Sequence, residues 1–135
     1  MEADVLVTAE GAQSVTEGAA VPLVVCDDAT MFDPAGLAHH RLRGAQCALW
    51  TTQTQDPWRT AFARARALEL RMYVIAIERD RRAIAIDPDG AILCGTFDGY
   101  EIAGFTLDPA RTRQTLVAPG TDVIQGLERA RTHAP

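Results

Sequence analysis

The 135-residue chain is 47% hydrophobic and carries a formal net charge of -5 at pH 7, which fits one globular domain over residues 1–135 and excludes general disorder. Because an acidic chain does not neutralise phosphates, we expect no nucleic-acid partner. No apolar run reaches the ~18 residues of a membrane span, and the N-terminal sequence lacks the basic start of a secretory signal. We therefore expect a cytoplasmic protein without a membrane partner.

The basic residues and the cysteines narrow the chemistry further. All 13 basic residues are arginine, so no lysine is present to form a Schiff base or to stabilise an oxyanion. Cys26, Cys47 and Cys94 are odd in number and widely spaced, which excludes a disulfide framework and a CxxC zinc site. The three histidines also lack metal-binding spacing. We expect no metal and no cofactor.

The first part of the chain predicts strands alternating with helices. Val5–Thr8 and Val21–Val25 are predicted strands, and the unbroken apolar run VPLVV indicates a strand buried on both faces. Asp33 is an N-cap residue followed by proline at the first helical position. These signals predict a helix from Pro34 to about Arg43, which Gly44 ends.

A second strand and a second helix follow. Ala45–Thr51 is a buried strand, and Asp56-Pro57 repeats the helix-start signal. Tyr73–Glu78 is the next strand after this helix. Apolar residues of the helix fall at i, i+3, i+4, i+7 and i+10, and we expect this stripe to face the core. The stripe consists of Trp58, Ala61, Phe62, Ala65 and Leu68.

The rest of the chain predicts consecutive strands and then helices. Ala83–Asp87 and Ala91–Thr96 flank a tight turn at Pro88-Asp89-Gly90, and Tyr100–Leu107 is a further strand. Asp108-Pro109 begins a third helix, and Thr121 caps the last one. The order predicts an α/β fold with a mixed sheet of about seven strands and helices on one face. The other sheet face is expected to be uncovered.

Six segments, taken in order, resemble the carbon-nitrogen hydrolase (nitrilase) superfamily. They are VVCDD at 24–28, FDP at 32–34, LRGAQ at 42–46, ARARALE at 63–69, YVIA at 73–76 and IDPDG at 86–90. The first resembles the strand and nucleophile cysteine of that family. The match runs from about Val21 to Arg113, so the resemblance covers the C-terminal half, from just before the cysteine. Leu70 and Glu78 depart from it, because the family usually has asparagine there.

The resemblance implies half of an α-β-β-α sandwich and a Glu-Lys-Cys triad that acts on amides or nitriles. Only Cys26 can be carried over, since the family's glutamate and lysine lie upstream of it. We therefore expect a catalytically degenerate binding or structural homodimer, joined through the uncovered sheet face. The alternative is a thiol-dependent amidohydrolase that cleaves a C–N bond of a small amide or nitrile through Cys26. It would act alone or with a partner chain, the N-terminal half, that supplies Glu and Lys.

The candidate site comprises Cys26, as nucleophile or relict, with Asp27, Trp50 and Thr51 as binding residues. Strand ends are where open α/β sheets build sites for small-molecule ligands. The competing interpretations are a core Cys26, a core Trp50 and a solvated turn at Asp27 and Asp28. Two neighbouring carboxylates would also raise the pKa of the Cys26 thiol.

Other polar residues have weaker claims on function. A thiol hydrolase would need Glu10, Glu17, Asp27 or an acid of a partner chain as its base. We assign Cys47 and Cys94 to the core and the His39-His40 pair to the surface. The basic run Arg79–Arg82 is expected to be a solvated hairpin.

Overall fold

The computed structural model describes residues 3–8, 11–14, 22–78, 82–96 and 103–133. Its strands are β1 (Ala3–Thr8), β2 (Gly11–Ser14), β3 (Leu23–Cys26), β4 (Cys47–Thr52), β5 (Tyr73–Glu78), β6 (Ala83–Ile86), β7 (Ile92–Thr96), β8 (Ala103–Leu107), β9 (Leu116–Ala118) and β10 (Thr121–Asp122). Its helices are α1 (Asp28–Phe32), α2 (Pro34–Leu42), α3 (Trp58–Leu70), α4 (Pro109–Thr112) and α5 (Val123–His133).

The main sheet has five strands in the order β3-β4-β5-β6-β7. Strands β3, β4 and β5 are parallel, whereas β6 and β7 pair antiparallel at one edge. This arrangement confirms the predicted α/β fold with a mixed sheet. A single sheet of about seven strands was the wrong expectation, because β8 leaves the main sheet and pairs with β1 in a second sheet of order β2-β1-β8.

The two faces of the main sheet are buried against different elements. One face packs Trp50, Val74 and Ala76 against side chains of α1, α2 and α3, so helices on one face are confirmed. The opposite face packs Leu49 and Ile75 against Leu107 and Phe105 of β8. The prediction of an uncovered face is therefore wrong over the centre of the sheet.

The edge strand β3 is exposed on that face. Leu23 is 45% exposed and Val25 is 64% exposed. These values contradict the expectation that VPLVV is buried on both faces. The reason is that β3 is an edge strand of the main sheet, with β4 as its neighbour.

Helix α3 buries a different face from the one predicted. Trp58 is 66% exposed and Leu68 is 47% exposed, while Arg59 and Arg66 are buried. The arginines tolerate burial because their guanidinium groups are paired: Arg59 binds Glu78, and Arg66 Nε donates to the Met31 carbonyl at 2.9 Å. Apolar spacing alone does not register such paired arginines. The predicted stripe is therefore wrong except at Phe62, which is half-buried and packs against the core.

The predicted tight turn at Pro88-Asp89-Gly90 is present. Asp87 Oδ1 accepts hydrogen bonds from the backbone N–H groups of Asp89 and Ala91, each at 2.9 Å. Arg71, buried, donates to the Pro88 carbonyl at 2.5 Å and to Asp89 Oδ1 at 2.8 Å. A buried arginine therefore ties this turn to the C-terminal end of α3.

Several smaller elements differ from the sequence expectations. The residues after Cys26 form the short helix α1 rather than a turn, and Asp122 rather than Thr121 caps α5, accepting from the N–H of Ile124 at 2.9 Å. The third helix is limited to α4. Residues 79–81 of the basic run and residues 97–102 lie outside the described residues. None of the helices described is long and apolar enough to cross a membrane.

Candidate thiol site

Cys26 is the last residue of β3 and lies beside Trp50 in the parallel register with β4. Its side chain is 5% exposed and belongs to the helix-side core. Helix α1 begins two residues later, and its N-cap Asp27 accepts a hydrogen bond from the Thr30 N–H at 3.0 Å. The strand end and α1 together cover the thiol.

The surroundings of Cys26 oppose formation of a thiolate. Burial raises the pKa of the Cys26 thiol to about 12, and the negative charges of Asp27 and Asp28 act in the same direction. A nucleophilic cysteine needs the opposite, namely a pKa lowered by a cation or a nearby base. The thiol is therefore protonated at neutral pH.

Trp50 and Asp28 hold α1 against the sheet. Trp50 is fully buried, and its indole Nε1–H donates to Asp28 Oδ1 at 2.8 Å. The Phe32 ring meets Trp50 edge-on at 5.8 Å between centroids. Asp28 thus serves as the acceptor for a buried indole, a role that the sequence analysis missed.

The four predicted site residues are only partly brought together. Cys26 and Asp27 lie at the end of β3, and Trp50 is the register partner of Cys26 on β4. Thr51 is exposed, and the alternation of side chains along β4 directs it to the other sheet face. Glu10 and Glu17 lie outside the described residues. The binding roles of Asp27, Trp50 and Thr51 stay a prediction.

A buried acid lies on the same sheet face as Cys26, at the end of β5. Glu78 is 5% exposed, and Arg59 of α3 donates to its carboxylate. Arg59 also donates to Asp56 at 2.8 Å. Sequence reasoning missed this pair, although an acid ending the apolar strand YVIAIE is a signal, since a buried carboxylate needs a partner.

The remaining cysteines and histidines differ in burial. Cys47 is fully buried, as predicted, whereas Cys94 is half-buried rather than in the core. His39 is exposed, with Arg43 Nη1 3.4 Å from its Nε2, and His40 is half-buried. Within the ranges that the structure describes, no group of three or more His, Cys, Asp or Glu side chains could hold a metal ion.

Two comparisons by sequence found no match for this chain. No family model matches it, and none of the curated proteins is similar enough in sequence to match. Solved structures with a similar fold are therefore the basis for comparison.

Three solved structures illustrate the likeness. Nit3 of Saccharomyces cerevisiae, from branch 10 of the nitrilase superfamily, aligns with a TM-score of 0.58 and 21% identity over 84% of this chain and 42% of its own. The Caenorhabditis elegans NitFhit protein aligns with a TM-score of 0.59 and 18% identity over 90% of this chain and 32% of its own. An amidase variant from Nesterenkonia sp., with acrylamide added at its active-site cysteine, aligns with a TM-score of 0.57 and 20% identity. That alignment covers 88% of this chain and 46% of the amidase chain.

These alignments define the fold of the chain. The described residues form an α/β protein with a mixed sheet and helices on one face. That fold is the nitrilase-superfamily fold, which confirms the fold that the sequence motifs predicted. The alignments cover between 32% and 46% of those three chains. The chain thus matches less than half the length of each.

Proposed function

We propose that this chain is a catalytically degenerate C-terminal half of a carbon-nitrogen hydrolase that acts as a binding or structural homodimer. The observation that carries the proposal is the state of Cys26, which is 5% exposed with a pKa raised to about 12. The 135 residues also contain no lysine for the oxyanion of an amide or nitrile reaction. A protonated thiol without a lysine to stabilise the oxyanion is a poor nucleophile.

The carboxylates of Asp27 and Asp28 beside the thiol, and that of Glu78 on the same sheet face, are all occupied by hydrogen bonds within the fold. Asp27 caps α1, and the hydrogen bond from the Thr30 N–H holds the pKa of Asp27 below its ordinary value. Asp28 accepts from the Trp50 indole, and Glu78 pairs with Arg59. Each acid therefore stabilises the fold, which argues against a general base among them.

The homodimer rests on the exposed apolar edge at β3. Leu23 and Val25 continue the apolar face that β8 covers elsewhere. A symmetric contact would bury the same edge in two copies at once.

The three cysteines are free, and free thiols persist in a reducing compartment. The proposal therefore includes the cytoplasm as the location.

The dimer predicts a solution mass of twice 14.6 kDa. Replacing Val25 with glutamate should reduce the mass to that of one chain, because a charge would be buried at the contact. Size-exclusion chromatography with light scattering at micromolar concentration measures the solution mass of each protein. Leu116→Glu is the matched control, since Leu116 is 66% exposed on β9 and should leave the mass unchanged. A single-chain mass for the unaltered protein would contradict the dimer.

A thiol-dependent amidohydrolase is the second candidate. The Nesterenkonia amidase carries its adduct at an active-site cysteine, and this chain aligns to 46% of it. A partner chain would then supply the base that takes the Cys26 proton and the lysine that stabilises the oxyanion. The thiolate would attack the amide carbon, the amine would leave with the proton, and water would release the acid. A Cys26 titration well below ~8.5 would favour this candidate.

A further inference from the structure

A cleft lies between α2 and α5, and its lining includes neither Cys26 nor the residues described beside it. The cleft has a volume of about 400 Å³, within the ~300–1,000 Å³ of sites for small molecules. The cleft is lined on the α2 side by Ala35, Ala38, His39 and Leu42. On the α5 side it is lined by Leu127, Ala130 and Arg131.

The floor of the cleft is apolar, and the cleft exists because small side chains leave room between the two helices. Ala38 of α2 is 8% exposed, and Leu127 of α5 packs against the helix-side core. Ala130 lines the α5 side of the cleft. An apolar tail would replace water on this surface, which is the main source of affinity for small ligands.

The polar groups lining the cleft are basic. His39 lies in the last turn of α2 and Arg131 in the last turn of α5. Arg43 adds a second guanidinium group 3.4 Å from His39. No carboxylate lines the cleft, and Arg131 has no ion pair with any residue in the described ranges. In a chain of net charge -5, a basic rim over an apolar floor indicates an anionic ligand.

We propose that this cleft binds a small carboxylate with an apolar tail. The tail lies on the floor between Ala38 and Leu127, and the carboxylate binds Arg131 and His39. A guanidinium group suits this role because its N–H donors match both oxygens of a carboxylate. The proposal stands apart from the proposed function, since the two sites share no residue.

Octanoate, kept below its micelle concentration, is the probe for a titration followed by NMR on the full chain. It should bind saturably and more tightly than octanol or octylammonium, which have the same tail. Arg131→Gln should weaken octanoate binding about tenfold, the loss of one charge-assisted hydrogen bond. Ala130→Trp should abolish binding by filling the cleft, and the NMR spectrum of each variant reports whether it is folded.

Arg129→Gln is the matched control, because it removes the same charge from α5 at a residue that lines a different depression with Glu128 and Thr132. It should leave the affinity for octanoate unchanged. The proposal is overturned if octanoate shows no saturable binding, if octanol binds equally well, or if the Arg129 and Arg131 variants lose affinity to the same extent.

Discussion

Glu78→Ala is expected to lower the free energy of unfolding by about 3–5 kcal/mol, because it leaves a buried charge unpaired. The Arg59 side chain is 2% exposed and that of Glu78 is 6% exposed, so water cannot replace the lost carboxylate. Asp56, the other partner of Arg59, is 49% exposed and is a weaker counter-charge. Urea unfolding followed by circular dichroism measures the change.

Two further variants distinguish the buried ion pair from a general effect of removing an acid. Glu69→Ala removes a carboxylate that is 49% exposed and pairs with Arg66, and it should cost less than ~1 kcal/mol. The double variant Arg59→Met, Glu78→Leu should regain most of the stability, since neither charge of this pair then remains buried. A loss for Glu78→Ala no larger than that for Glu69→Ala would contradict the buried pair.

Trp50→Ala is expected to destabilise the fold by about 3–5 kcal/mol, the usual cost of deleting a fully buried aromatic side chain. Trp50 is completely buried and holds α1 through its hydrogen bond to Asp28. The same substitution should loosen α1 and make Cys26 accessible to alkylation. Urea unfolding and the rate of Cys26 alkylation measure the two effects.

Trp58 provides a matched control for this prediction. It is 66% exposed, so Trp58→Ala should change the stability by no more than ~0.5 kcal/mol. Trp50→Phe keeps an aromatic ring but removes the donor to Asp28, and it should cost about 1–3 kcal/mol. Equal losses for Trp50→Ala and Trp58→Ala would contradict the observed packing of α3 and restore the predicted inner stripe.

Local signals in the sequence were sufficient to predict the order of the main elements. Helix α2 follows from Asp33-Pro34, and β5 follows from the apolar run at Tyr73–Glu78. Both signals act within a few residues, so no tertiary information is needed. Pairing between β1 and β8 could not be predicted, because it joins segments about a hundred residues apart in sequence.

The candidate site shows the same division. The sequence predicted that Cys26 ends a strand and that adjacent carboxylates raise its pKa, and both are present. It did not predict that Trp50 binds Asp28 or that Arg59 binds Glu78. These contacts depend on how helices pack on the sheet. The spacing of apolar residues along α3 does not show whether that stripe faces the core or the solvent.

The proposal that Cys26 is catalytically degenerate is tested most directly by the rate of Cys26 alkylation as a function of pH. Peptide mass spectrometry separates Cys26 from Cys47 and Cys94, and Cys26→Ala is the control. Because the pKa of Cys26 is raised to about 12, the folded protein should react slowly and show no inflection below ~8.5, the value of a free cysteine. The urea-unfolded chain should titrate near that value. An inflection well below ~8.5 in the folded protein would contradict the degenerate site and favour a working nucleophile.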